Sequence, residues 1–180
     1  MTLEKFFIEK WDDVLPYFER LLKFVPHSYD EFEAWLADMD FVIANIEEEH
    51  AWRYIRKSLD TTNENFAQSF EYFLEHILPN VQLYKDKLNR KYMQIPFRKS
   101  ISKSLKIYDR LIEKEITIFR EENVELDTKC NELAAKYMEI YGKKTVDWNG
   151  KTLTLQQASD YLYDVNRDVR QKIWMKITDC

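Results

Sequence analysis

Glycine is nearly missing from this chain: two glycines, with four prolines, stand among 180 residues. So few turn formers exclude a many-stranded fold, which needs them at each reversal, and point to an α protein. Both glycines have a place. Gly142 follows the apolar run Leu133, Ala134, Tyr137, Met138 and Tyr141, where a helix is expected to end on a residue in the left-handed region. Gly150 follows Asn149, and Asn-Gly is the pair that a two-residue hairpin turn demands. No glycine remains for a phosphate-cradling loop or a dinucleotide turn, so nucleotide binding by either motif is excluded. Cysteine is as scarce. Cys130 lies in a helical pattern and reads as a small core residue; Cys180 is the last residue. There is no C-x-x-C, no structural disulfide is expected, and the usage fits a reducing, cytoplasmic compartment. A basic surplus is also missing: the net charge is −5, which argues against nucleic acid and anionic membrane as partners. No window approaches the ~18 apolar residues of a membrane span, and the first residues lack the pattern of a signal peptide.

What is present suits a helical core. Hydrophobic residues make up 45%, aromatics 15% and charged residues 33%, the mixture of amphipathic helices with solvated outer faces. Asp12 or Asp13 is placed to cap a first helix with Pro16 in its opening turn and Trp11, Leu15, Phe18 and Leu22 on its apolar face. Ser28 and Glu31 form a capping-box pair ahead of a long helix carrying Phe32, Trp35, Leu36, Met39, Ile43 and Ile46. Trp52, Tyr54 and Ile55 either continue that helix or cross in extended form. Asp60 to Asn63 is a capping cluster for a helix with Phe66, Phe70, Phe73, Leu74, Ile77, Val81, Tyr84 and Leu88. Pro79 inside that pattern predicts a kink or two abutting helices. Ile101, Leu105, Tyr108, Ile112 and Phe119 give a further stripe. Asn123 and Val124 interrupt it; Leu126, Cys130, Leu133, Tyr137 and Tyr141 resume it.

From Thr145 the period changes. A turn at Asn149-Gly150 sets Val146 opposite Leu153 and Trp148 opposite Lys151 on one face of a ribbon. Thr154 then caps a helix, with Gln157 as the return arm of a capping box. Asp164 or Asn166 caps the last helix, whose stripe is Val169, Ile173 and Ile177. The fold class is therefore mostly all-α: a multi-helix lobe of long amphipathic helices with one β-hairpin near residues 145–154. The last helix is about three turns long by its pattern, has no glycine or proline to stop it, and closes on a lone cysteine. The expectation is that the chain was cut from something longer or lost its remainder.

Candidate chemistry is sparse. A zinc peptidase site of the H-E-x-x-H kind needs two histidines one helical turn apart and a glutamate to activate water. Here there are His27, His50 and His76; no two are four apart and none precedes a glutamate. Glu47 and His50 form an E-x-x-H, but a di-metal bundle needs a second copy, and Phe73 stands where His76 would need its glutamate. The expected reading is a solvated acidic face beside a histidine. No G-x-S-x-G elbow exists. The aromatics, including Trp11, Trp35, Trp52, Trp148 and Trp174, are read as core. Arg167, Arg170, Lys172 and Lys176 beside Asp164 and Asp168 are read as surface charge pairing. No catalytic, cofactor-binding or metal-binding residue is assigned.

The blocks F-R-E-E-N-V-E-L (Phe119–Leu126), Y-M-E-I-Y-G, V-D-W-N-G-K-T-L-T-L and N-R-D-V-R-Q-K-I-W, with W-R-Y-I-R-K-S-L-D-T-T-N (Trp52–Asn63) and I-L-P (Ile77–Pro79), stand in a telling order. In that order and spacing the chain resembles the N-terminal region of oligoendopeptidase F and the thimet oligopeptidases, most strongly from Phe119 onward. The resemblance implies a helical protein of two lobes across a deep channel, hydrolysis of short peptides, a cytoplasmic location and one zinc ion. It implies residues 1–118 as an N-terminal helical segment and residues 119–180 as the oligoendopeptidase F-type region, both parts of one lobe. The catalytic domain, with its H-E-x-x-H, is absent. This chain would supply channel wall and no zinc ligand. Its partners would be oligopeptides and the catalytic domain of the same protein, and the fragment alone would self-associate. A free-standing helical interaction module without peptidase activity is the other reading.

Overall fold

In the computed structural model, which describes residues 5–60, 63–101 and 103–180, helices dominate. The elements are α1 (Trp11–Lys23), α2 (Tyr29–Leu59), α3 (Glu64–Tyr72), α4 (Leu78–Gln94), α5 (Lys106–Ile118), α6 (Glu122–Gly142), β1 (Thr145–Trp148), β2 (Lys151–Thr154), α7 (Leu155–Asp160) and α8 (Arg167–Thr178). A mostly all-α chain with one hairpin is thus what forms. It divides into two compact units, Met1–Asn131 and Glu132–Cys180, with the boundary inside α6.

In the first unit, local chemistry sets where each helix starts. The Asp13 carboxylate accepts from the backbone N–H groups of Glu9 and Lys10, both at 2.9 Å, so α1 begins at Trp11. That is earlier than a cap at Asp12 or Asp13, and it leaves Pro16 beyond the first turn. The buried face is also rotated from the expected stripe: Val14, Phe18 and Leu21 are the fully covered residues. Ser28 Oγ accepts from Glu31 N at 3.1 Å, while the Glu31 carboxylate turns back to His27 N at 2.7 Å. Trp52, Tyr54 and Ile55 continue α2 and are exposed.

Asn63 caps α3 by accepting from Asn65 N and Phe66 N; of the expected cluster, Thr61 and Thr62 lie outside the described residues. A π-helical turn, Phe73–Ile77, joins α3 to α4, and Pro79 falls in the first turn of α4, where its missing N–H costs least. The stripe from Ile101 to Phe119 is not one helix. Two 3-10 turns, Pro96–Ser100 and Lys103–Leu105, precede α5. The chain breaks again at Phe119–Glu121, so Asn123 and Val124 are in the opening turn of α6 instead of interrupting it.

Phe18, Phe32, Phe73, Ile77, Leu88 and Tyr92 form the centre of this unit's core. Polar groups are tied into it. Trp35 Nε1 donates to Leu21 O at 3.0 Å. Lys91 Nζ donates to Leu21 O and Leu22 O, each at 2.8 Å, and to Phe24 O, satisfying the last carbonyls of α1. Asn45 Nδ2 donates to Phe6 O at 2.9 Å, and Tyr92 Oη donates to Asp109 Oδ1 at 2.9 Å. Arg98 also pairs with Asp109, and this guanidinium holds the Asp109 carboxyl below its ordinary value.

The second unit is small and carries its own core. β1 and β2 pair antiparallel with Val146 opposite Leu153 and Trp148 opposite Lys151. Asn149 and Gly150 both take positive φ, 51° and 78°, as the turn requires. Gln157 N donates to Thr154 Oγ1 at 3.2 Å and Thr154 N donates to Gln157 Oε1 at 3.0 Å, a complete capping box. Asn166 caps α8 through Asp168 N at 2.9 Å, and Asp164 in turn accepts from Asn166 N at 2.8 Å. Val146, Trp148, Ala158 and Ile173 are buried together. Two expectations fail here. Gly142 has no positive φ, because α6 runs through it and ends on the bonds Lys143 N to Glu139 O and Lys144 N to Tyr141 O. Arg170 donates to the backbone carbonyls of Asp164 and Val165, not to a neighbouring carboxylate.

Candidate functional site

The three histidines stand on different elements and do different things. His27 precedes α2 and serves through its backbone. His76, in the π-helical turn, lies against Tyr72 and 3.7 Å from Glu75 Oε2. His50, in α2, stacks on Phe70 and Phe73 with ring centres 5.6 and 5.4 Å away. Burial pushes its imidazole below the ordinary 6.5, while the charge of Glu47 pulls the other way. The E-x-x-H pair is therefore a helix-surface carboxylate beside a stacked ring. Among the described residues, no group of three or more His, Cys, Asp or Glu is placed to hold a metal ion.

A testable consequence follows from His50. Its folded form resists protonation, so the unfolded chain binds more protons below the ordinary 6.5. Stability from this group is complete above 6.5 and is lost as pH falls through the lower folded value. Urea unfolding across this range should show that loss, and His50→Phe, which keeps the stack, should remove this part of the slope.

Two features remain that sequence reading did not anticipate. One is a polar line on the first unit. Asn89, only 4% exposed, donates through Nδ2 to Glu115 Oε2 at 2.8 Å, and Lys85 Nζ lies 3.3 Å from the other oxygen. This trio joins α4 to α5 and lines the crevices on both sides of it. Its signal in the sequence was positional: Asn89 and Tyr92 continue the run Val81, Lys85, Leu88 along one side of α4.

The other is α6. It has 21 residues, of which Val124 is buried. Leu126, Cys130, Leu133, Tyr137 and Tyr141 do recur along one helical face, but that face is open. Leu133 is 65%, Tyr137 64% and Ile140 64% exposed, and Tyr137 stacks on Tyr141 at 6.3 Å between ring centres. Cys130 is thus on the surface, not in the core, and Trp52 and Trp174 are likewise half exposed. Periodicity correctly marks an apolar face; it does not say whether the chain itself covers that face. The apolar stripe on this charged helix is left uncovered among the described residues.

The profile of the peptidase M3 N-terminal domain matches residues 5–119. The chain belongs to that family. The match covers the part of the sequence before Phe119, whereas the resemblance read from motifs is strongest after it; solved structures span both. An oligoendopeptidase F assignment from Bacillus anthracis str. Ames is similar over 99% of this chain and 34% of its own, with 19% identity and a TM-score of 0.83. PZ peptidase A, solved with an inhibitor, is similar over 99% of this chain and 32% of its own, with 20% identity and a TM-score of 0.84. At such identities the likeness is one of fold. The M3 N-terminal chain spans about a third of the length of these relatives. No curated protein matches it.

Proposed function

We propose that this chain is the N-terminal lobe of a zinc-dependent oligoendopeptidase that hydrolyses short peptides in a deep channel. On this reading it supplies channel wall, and the catalytic region of the same protein supplies the zinc. The observation that supports it most is the open apolar face of α6, on a fold that aligns over 99% with a third of peptidase chains. That face needs cover, and the occupant we assign is the catalytic region.

The residues present do not fit the metal: His27, His50 and His76 stand apart, and no acidic group joins them in a ligand set among the described residues. The chain's own contribution is then steric. It would admit extended oligopeptides, exclude folded proteins and keep bulk water from the reacting bond. Residues 1–118 and 119–180 are successive parts of this region. Both cysteines are free and exposed, which fits a cytoplasmic setting.

The test mixes the purified chain with the H-E-x-x-H-bearing region of an oligoendopeptidase F relative. Expected results are a stable complex and a gain in cleavage of a fluorogenic oligopeptide, both weakened about tenfold or more by Leu133→Glu with Tyr137→Glu. Alone with zinc, the chain should cleave nothing and should associate through α6 as its concentration rises. Turnover by the chain alone would overturn the reading. So would a monomer at every concentration that ignores the catalytic region, the behaviour of a free-standing module.

A further inference from the structure

We propose that the basic crevice where the turn Pro96–Ser100 meets the start of α5 binds a small polyphosphate, held by Lys99, Lys106 and Arg110. The crevice has a volume of about 500 Å³ and is lined by Arg98, Lys99, Ile101, Lys106, Asp109 and Arg110. Four of these six side chains are cationic, in a chain whose net charge is −5.

The carboxylate in the lining is already neutralised. Asp109 accepts from Tyr92 Oη at 2.9 Å and from Arg98 through both oxygens, one of these contacts at 3.0 Å. Arg98 also pairs with Glu113. It therefore acts as a brace: it ties the turn to α5 and cancels the nearby acids. That leaves Lys99, Lys106 and Arg110 exposed and without an ion pair among the described residues. Lys106 and Arg110 stand four residues apart on α5, and like charges at that spacing repel. Lys99 meets the same space from the turn. No side chain caps α5 at Leu105, so the positive end of the helix adds to the field. An anion seated among these groups relieves their repulsion.

The arrangement of charge selects the kind of anion. Three cations around one space suit a compact ligand with several negative centres close together, as in linked phosphates. Ile101 is the apolar member of the lining, which offers little to the side chains of an acidic peptide. A long nucleic acid would run on from the crevice over the rest of a net acidic chain.

The whole 180-residue chain, labelled with nitrogen-15, is titrated with sodium tripolyphosphate at about 0.1 M salt, with tetraglutamate and single-stranded DNA as comparators. Tripolyphosphate should shift the backbone signals of Lys99, Lys106 and Arg110 in a saturable way. The peptide and the DNA should bind about tenfold more weakly at matched charge. Lys106→Gln with Arg110→Gln, at exposed positions, should weaken tripolyphosphate about tenfold or more. Lys172→Gln with Lys176→Gln, which removes as much charge at the same spacing from α8, should leave its affinity unchanged. Binding of the peptide or the DNA as tight as that of tripolyphosphate, or shifts spread over other basic surfaces, would overturn the assignment. So would an unchanged affinity in the α5 double variant, or an equal loss in the α8 one. The outcome is independent of peptidase activity.

Discussion

Arg53→Ala should destabilise the first unit by about 3 kcal/mol, because it strands several buried acceptors at once. The Arg53 side chain is 8% exposed. Its Nε donates to Glu49 Oε1 at 2.8 Å, one Nη to Ser69 O at 2.9 Å and the other to Ile8 O. One guanidinium therefore ties α2 to α3 and to the segment before α1. It also lies over the Phe73 ring, 5.3 Å from its centre. Water cannot replace all these partners after truncation. Arg53→Lys keeps the charge but not the fork, so it should recover only part of the loss. Urea unfolding with an unchanged m-value is the measurement. A loss under about 1 kcal/mol would mean that these carbonyls rehydrate and that the contact is peripheral.

Ile173→Ala should cost the second unit about 3 kcal/mol. Ile173 is fully buried on α8, and only Val146, Trp148 and Ala158 are buried with it. In so small a cluster a cavity cannot be refilled by neighbours, and the hairpin's other face is open: Asp147 and Thr152 are exposed. Amide exchange should rise across Thr145–Thr154, and the near-ultraviolet signal of Trp148 should fade. Ile173→Val, which removes one methylene, should cost about 1 kcal/mol and leave the hairpin protected. Equal protection in Ile173→Ala would show that the ribbon is held by something other than this core.

Much of the fold was legible in the chain because its signals are local. Asn149-Gly150 specifies turn and register within four residues, and Thr154 with Gln157 closes a box three residues apart. The helical faces of α2 and α8 follow from spacing alone. The misplacements came where local signals compete. Two aspartates could cap α1, and the position of Asp13, accepting from both Glu9 N and Lys10 N, decided the start. Gly142 offered a left-handed stop that α6 did not need, since the chain turns after it without positive φ.

Composition and short-range spacing by themselves determined that this chain is helical, where its ribbon turns, and that its sequence holds no H-E-x-x-H. These depend on backbone propensity and on neighbours a few residues apart, and every such contact is written in the order of residues. Only the tertiary structure decided that Arg53 and Asn89 are interior, that His50 is sandwiched with phenylalanines, and that the stripe on α6 stays open. Each depends on which distant segment arrives, and an apolar face has the same sequence pattern whether its own chain or another surface covers it.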